Sequence, residues 1–154
     1  MAEHILIDGY NVIHSIKEFK KNLSFGINAS AQIFIQEASR LLMIIDKVTL
    51  VFDGKDTKTT IDYPYNSKRF CVIYSDKNTT ADTLIERIVR ESKHPINCTV
   101  MTNDHALGDT IRSVGGIVMP SEELINLISG GESVCKRRII SSNNDQSFGN
   151  KLFE

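Results

Sequence analysis

The three cysteines, Cys71, Cys98 and Cys135, are few, odd in number and far apart. None pairs with another at metal-ligand spacing, so neither a disulfide framework nor a thiolate metal site is expected. Reduced thiols in a cytoplasmic protein are the expectation. Cys71 and Cys98 fall in apolar, strand-like runs and read as small core residues. Charge of one sign is also lacking: 18 Lys and Arg stand against 19 Asp and Glu, for a net charge of −1. A globally basic nucleic-acid binder is thereby excluded, and any basic surface must be local. No apolar run approaches membrane-spanning length. Met1-Ala2-Glu3-His4 leads straight into a short apolar run, so no signal peptide is expected. The chain has no Gly-rich phosphate loop and no Gly-x-Ser-x-Gly nucleophile motif. His4, His14 and His94 have no partner at metal-ligand spacing. His105, beside Asp104, reads as a surface residue or one that reaches substrate.

What is present suits one globular domain. The 154 residues are 41% hydrophobic and 24% charged, enough for a substantial core. Ile5-Leu6-Ile7 ends abruptly at Asp8-Gly9 and reads as a buried central strand. Residues 11 to 21 predict a short helix with Val12, Ile13, Ile16 and Phe19 inward. Asn28 or Ser30 can cap a second helix, with Ile33, Phe34, Ala38, Leu41, Leu42 and Ile45 on its buried face. Val48 to Phe52 is a second strand, closed by Asp53-Gly54. Lys55 to Arg69 is polar, basic and carries Tyr63 and Tyr65; it reads as an exposed loop with, at most, an irregular edge strand.

Phe70 to Tyr74 is a third strand, followed from Thr79 by a helix with Ala81, Leu84, Ile85, Ile88 and Val89 inward. Cys98 to Met101 is a fourth strand. The next helix places Ala106, Leu107, Ile111 and Val114 inward. Ile117 to Met119 is a fifth strand, and Pro120-Ser121 starts a last helix. Alternating strands and helices imply a parallel α/β sheet with right-handed crossovers. The expected division is a domain over 1–130 and a polar, mobile tail over 131–154 with a basic cluster at Lys136-Arg137-Arg138.

The chemistry is in where the strands stop. Three apolar runs end at Asp8, Asp53 and Asp104, and Asp82 lies in the first turn after the third strand. Parallel strands bring such positions to one edge, where ligands bind in open α/β sheets. Gathered carboxylates repel unless a cation neutralises them, and hard Mg²⁺ or Mn²⁺ prefers oxygen donors. A metal there suits phosphodiester hydrolysis, because it lowers the pKa of water and offsets charge on the leaving oxygen. Each acid also has a plainer role: turn residue for Asp8 and Asp53, capping-box partner of Thr79 for Asp82, helix cap for Asp104, solvated carboxylate for Asp109. Asn11 is either a helix cap or a partner of Asp8 or phosphate. Thr80, Thr102 and Asn103 either cap helices or orient the carboxylates.

Ile5-Leu6-Ile7-Asp8-Gly9-Tyr10-Asn11-Val12-Ile13, Val51-Phe52-Asp53, Thr79-Thr80-Ala81-Asp82-Thr83-Leu84-Ile85 and Thr102-Asn103-Asp104 together resemble the NYN branch of the PIN-like nucleases, nearest the YacP-like bacterial ribonucleases. The resemblance covers residues 4 to 129 and leaves the tail outside. It implies a PIN-like, Rossmann-like three-layer sandwich: a mainly parallel sheet of about five strands with helices on both faces. It implies a metal-dependent endoribonuclease with one or two Mg²⁺ or Mn²⁺ ions, leaving 5′-phosphate and 3′-hydroxyl ends. Asp8, Asp82 and Asp104 take the acidic core, with Asn11 and Asp53 beside it and Asp109 as a further acidic position.

Thr80, Asn103, Lys55, Lys68 and Arg69 are the expected substrate contacts, with single-stranded RNA as the partner and messenger RNA at the ribosome as an associated target. Three rivals stand beside this reading. One is a silent PIN-like module that binds RNA or protein. Another is a toxin-type PIN ribonuclease held by a partner. The third, a haloacid-dehalogenase-type phosphatase, is disfavoured because its second Asp would fall at Tyr10.

Overall fold

The structure, a computed structural model, describes residues 4–130. Six strands form one sheet: β1 (His4–Asp8), β2 (Lys47–Phe52), β3 (Thr60–Asp62), β4 (Phe70–Tyr74), β5 (Cys98–Met101) and β6 (Ile117–Met119). Their spatial order is β3-β4-β2-β1-β5-β6, and every pairing is parallel except that of β3 with β4. β1 and β2 are continuous apolar runs because both faces of the sheet are covered. β3, one strand more than the five expected, is the irregular edge. Its three residues are all exposed, so it carries no hydrophobic signal.

Alternation along the strands divides the core. Ile5, Ile7, Leu50, Phe52 and Val72 face one layer, formed by α1 (Gly9–Ser15), α2 (Lys17–Lys20), α3 (Ile27–Ala38) and α6 (residues 123–130). Leu6, Val51, Ile73 and Val100 face the other, formed by α4 (Ala81–Glu91) and α5 (His105–Ser113). Cys71 and Cys98 are buried there, as expected of small core residues. Cys135 and the Lys136-Arg137-Arg138 cluster lie outside the described residues.

Several boundaries differ from expectation, each for a local reason. The first helix starts at Gly9 and breaks at Ile16, whose backbone is extended (φ −103°, ψ 120°). The break lets Ile16 and Phe19 both reach the core from two short helices. Gly26, at φ 102°, is the N-cap of α3 in place of Asn28 or Ser30; the Ser30 hydroxyl is buried inside the first turn. Ile33 is exposed, while Phe34, Ala38, Leu41 and Ile45 form the inner face. On α5, Ala106 points to solvent and Gly108 takes the inward position. The turn after Pro120 delays α6 to residue 123.

The segment before β4 also departs from expectation. Because β3 runs antiparallel to β4, it carries the chain from the carboxyl edge of the sheet back to its amino edge. Lys68 and Arg69 therefore lie just before β4 at the amino edge, away from the strand-end acids. Tyr65 packs against Phe70 there. The Arg69 guanidinium donates to the carbonyls of Leu42, Ile45 and Asp46 at 2.9–3.1 Å. These are the unpaired carbonyls where the 3-10 turn after α3 (Ser39–Met43) runs out into β2. Arg69→Ala is expected to destabilise the fold by about 1–2 kcal/mol and Lys68→Ala by less than about 0.5 kcal/mol. Urea unfolding midpoints of the two variants would check the contrast.

Candidate active site

The chain order reverses across β1. From β1 the chain winds outward through β2 and β4, then α4 carries it back over the sheet to β5 on the far side of β1. The crevice between the carboxyl ends of β1 and β5 is therefore the topological switch point, the natural ligand site of such a sheet. Asp8 ends β1, and Thr102-Asn103-Asp104 follows β5.

The two sides are stitched by one hydroxyl and one carboxamide. The buried Thr102 hydroxyl oxygen lies 3.1 Å from Asp8 Oδ2 and 3.3 Å from Asn11 Oδ1, with a single proton to donate between them. The same oxygen accepts from the Asp104 backbone N–H at 3.1 Å. The Asn103 backbone N–H donates to Asn11 Oδ1 at 2.9 Å. A backbone N–H can only donate, so this bond fixes which end of the Asn11 carboxamide is oxygen and turns its NH₂ the other way. Asn11 is thus a bridge within α1, and Asp8 occupies the N-cap position without a side-chain capping bond. Asn103 is a second bridge. Its Oδ1 accepts from the Ser121 N–H, and its Nδ2 donates to Glu122. Both ends of this side chain are engaged, which leaves little of it for substrate.

The other acids arrive from β2, α4 and α5. Asp53 Oδ1 accepts from the Ala81 N–H at 2.8 Å, tying the end of β2 to the start of α4. Thr80 caps α4 by accepting from the Thr83 N–H, so the expected Thr79–Asp82 capping box is not the one formed. Asp82 is released from capping and faces Asp8, Asp53 and Asp104. Asp104 Oδ1 caps α5 through the Leu107 N–H. Asp104 is both the expected cap and a member of the acidic group. Asp109 is not: its side chain is 83% exposed and its contact is Arg112 at 3.5 Å. Lys55 stands exposed just after Asp53-Gly54, on the site's side of the sheet.

The electrostatics record the crowding. Asp8 is only 7% exposed, and its carboxyl is pushed up to about 7, first by burial and then by the negative charge of Asp82. Asp53 and Asp104 push the same way, and the Thr102 hydrogen bond opposes them. Asp82 is raised by partial burial, by Asp104 and by Asp53. The neighbouring Tyr10 is raised by burial and by Tyr74 and Asp53. Tyr10, Phe52 and Tyr74 form a row beside Asp53, with ring centroids 4.8 and 5.4 Å apart. Sequence reasoning passed over Tyr10 and Tyr74. Their only signal was adjacency to a strand end.

The glycines after the two strand-end acids serve close approach. A Cβ on Gly9 would overlap the Phe52 ring, and one on Gly54 would overlap the Ser75 carbonyl oxygen. Among the described residues, no three His, Cys, Asp or Glu side chains form a ready-made chelate. The donor set nonetheless fits a hard divalent ion. All donors are carboxylate oxygens, and Asp8, Asp53 and Asp104 each commit an oxygen to a protein donor that orients the group. Mg²⁺ usually keeps several waters and is held by one or two carboxylates, so a tight protein cage is not required.

The sheet, mainly parallel with helices on both faces and an acidic switch-point edge, is the architecture expected of an NYN domain. The YacP-like NYN domain matches residues 5–152, and the chain belongs to this nuclease family. The match runs beyond Gly130 and takes in most of the segment that the motifs alone had left outside. Among solved structures, the chain is similar to Rae1 (YacP) from Bacillus subtilis, at 23% identity and a TM-score of 0.64, covering 96% of this chain and 86% of that one. It is also similar to the W164L mutant of the same protein, at 22% identity and a TM-score of 0.68, covering 99% and 92%. No curated protein matches it. Among the described residues, no helix is long and apolar enough to cross a membrane.

Proposed function

We propose that the chain is a metal-dependent endoribonuclease whose active site is Asp8, Asp53, Asp82 and Asp104. The observation that carries this reading is the convergence of four carboxylates on the switch-point edge, where burial first and the neighbouring acids second push the Asp8 carboxyl up to about 7. Such a site is costly to keep without a cation. Asp8, Asp82 and Asp104 would hold a Mg²⁺ or Mn²⁺ ion, with Asp53 beside them. When bound, the ion would offset the carboxylate charge and lower the pKa of a coordinated water.

The chain's own residues do the rest. Thr102 holds Asp8 in place, and the Asp53 and Asp104 carboxylates are fixed by the helix starts they bind. The Asn11 NH₂, turned away from Asn103, is free to donate to a non-bridging phosphate oxygen. Lys55 adds a cation on the approach. Water attacks phosphorus in line with the 3′ oxygen, and the P–O3′ bond breaks to leave a 3′-hydroxyl and a 5′-phosphate. No covalent enzyme intermediate is needed.

The test is cleavage of single-stranded, hairpin and ribosome-bound RNA with Mg²⁺, with Mn²⁺ and with EDTA. Asp8→Asn and Asp82→Asn should abolish cutting, whereas Asp109→Asn should leave the rate within about twofold. Cleavage that survives both of the first two substitutions would place the active site elsewhere. RNA binding without cleavage in any metal would favour the silent module.

A further inference from the structure

Beyond Asp104 the acidic edge opens into a cavity of about 510 Å³, between α5 and the edge strand β6, with Asp104, His105, Gly108, Arg112, Val118 and Glu122 in its walls. The size is typical of clefts that take small ligands, roughly 300–1,000 Å³. His105, Gly108 and Arg112 are three and four residues apart on α5, so they form one stripe along the helix. Gly108 keeps the floor open. A Cβ there would already stand 3.5 Å from both Val118 Cγ1 and Arg112 Nη1, so any longer side chain would fill the trough.

The trough has two chemically different ends. Asp104 and Glu122 stand at the mouth, on the cutting edge. Arg112 stands toward the far end, about 10 Å along the helix axis from His105 at 1.5 Å per residue. Among the described residues its ion pair is the 3.5 Å contact with Asp109, and both partners are more than half exposed, so the guanidinium is weakly engaged. An anion is repelled at the mouth and welcomed at the far end. Val118 and Pro120 supply apolar wall, and the Glu122 carboxylate, with one oxygen on Asn103, is an acceptor for a base amino group. A nucleotide satisfies this layout: a phosphate for the guanidinium, a flat base for the Gly108 floor, a donor edge for the acid.

We infer that this trough is a subsite for an RNA nucleotide flanking the scissile phosphate, with Arg112 holding its phosphate and Gly108 leaving space for its base. The inference rests on the ribonuclease reading and adds a substrate contact to it. The experiment uses the full chain and a fluorescent single-stranded RNA octamer. Binding is measured by anisotropy over a salt series in the Asp8→Asn background without divalent ions, and cleavage is measured in the Asp8-intact protein.

Arg112→Ala should weaken binding by about 5–20-fold and reduce the slope of log affinity on log salt by about one. Arg112→Lys should keep the slope and recover part of the affinity. Gly108→Leu should raise KM with kcat little changed. Unchanged affinity and salt slope in Arg112→Ala, or no binding of the octamer by the parent, would overturn the inference. Cleavage that no longer depends on Asp8 would refute the ribonuclease reading. Asp8-dependent cleavage with wild-type binding by Arg112→Ala would refute the subsite alone. If Gly108→Leu fails to fold, the paired Arg112 variants decide the question.

Discussion

Asp8→Asn is expected to slow RNA cleavage by about a thousandfold or more and, in the same protein without divalent ions, to raise the melting temperature. The first effect follows from removing the central carboxylate of the acidic edge. The second follows from the cost of keeping it. Asp8 is held up to about 7 in the folded chain against 3.8 when unfolded. A group raised on folding contributes stability that is fully present below the unfolded value and is lost as pH rises through the folded one. The metal-free wild type should therefore weaken progressively between about pH 4 and pH 7. The asparagine cannot ionise, yet its carbonyl still accepts from Thr102, so the variant escapes that loss.

At pH 8 the gain should be on the order of 2–4 kcal/mol, or roughly 5–15 °C in melting temperature. Excess Mg²⁺ or Mn²⁺ should narrow the gap, because the wild type gains stability by binding the ion. Calorimetry at pH 5 and pH 8, with and without the ion, would check this. Equal melting temperatures at pH 8 without metal would mean that the acids are not in conflict.

Thr102→Val is the second large effect. The swap preserves shape but removes the hydroxyl that serves Asp8, Asn11 and the Asp104 N–H together. The part-buried Asp104 N–H and the buried Asp8 carboxylate each lose a partner, at a cost of about 1–3 kcal/mol. The cleavage rate should fall by about 10–100-fold, the range typical for groups that orient metal-site ligands. Thr102→Ser should restore most of the rate, because the hydroxyl returns and only a methyl group is lost. Full activity in Thr102→Val would show that Asp8 is positioned by packing alone.

These expectations depend on contacts that the sequence made legible unevenly. β1, β2, β4 and β5 could be read directly, because a strand buried on both faces is a run of apolar residues with a sharp polar end. Asp8, Asp53 and Asp104 stood at those ends, and Asp82 followed the third run by one turn. The direction of the chain after Asp53 could not be read. The Thr60–Asp62 strand is exposed on all sides, so nothing signalled that it turns the basic loop to the amino edge. Lys68 and Arg69 therefore resembled substrate contacts until the antiparallel pairing placed them. Asp109 resembled a ligand because it follows Asp104 closely, but five residues along a helix rotate a side chain well off the starting face. Thr102 was weighed as an orienting residue without its rank being visible. That rank comes from the adjacency of β1 and β5, strands separated by most of the domain.

That same separation has a consequence during synthesis. The hydrogen bond between Thr102 and Asp8 spans 94 residues, and Asn103 reaches on to Glu122. A growing chain presents Asp8 almost at once, yet it lacks the β5 half of the crevice until nearly the whole domain has been translated. Assembly of the acidic edge is thus timed to the completion of the domain.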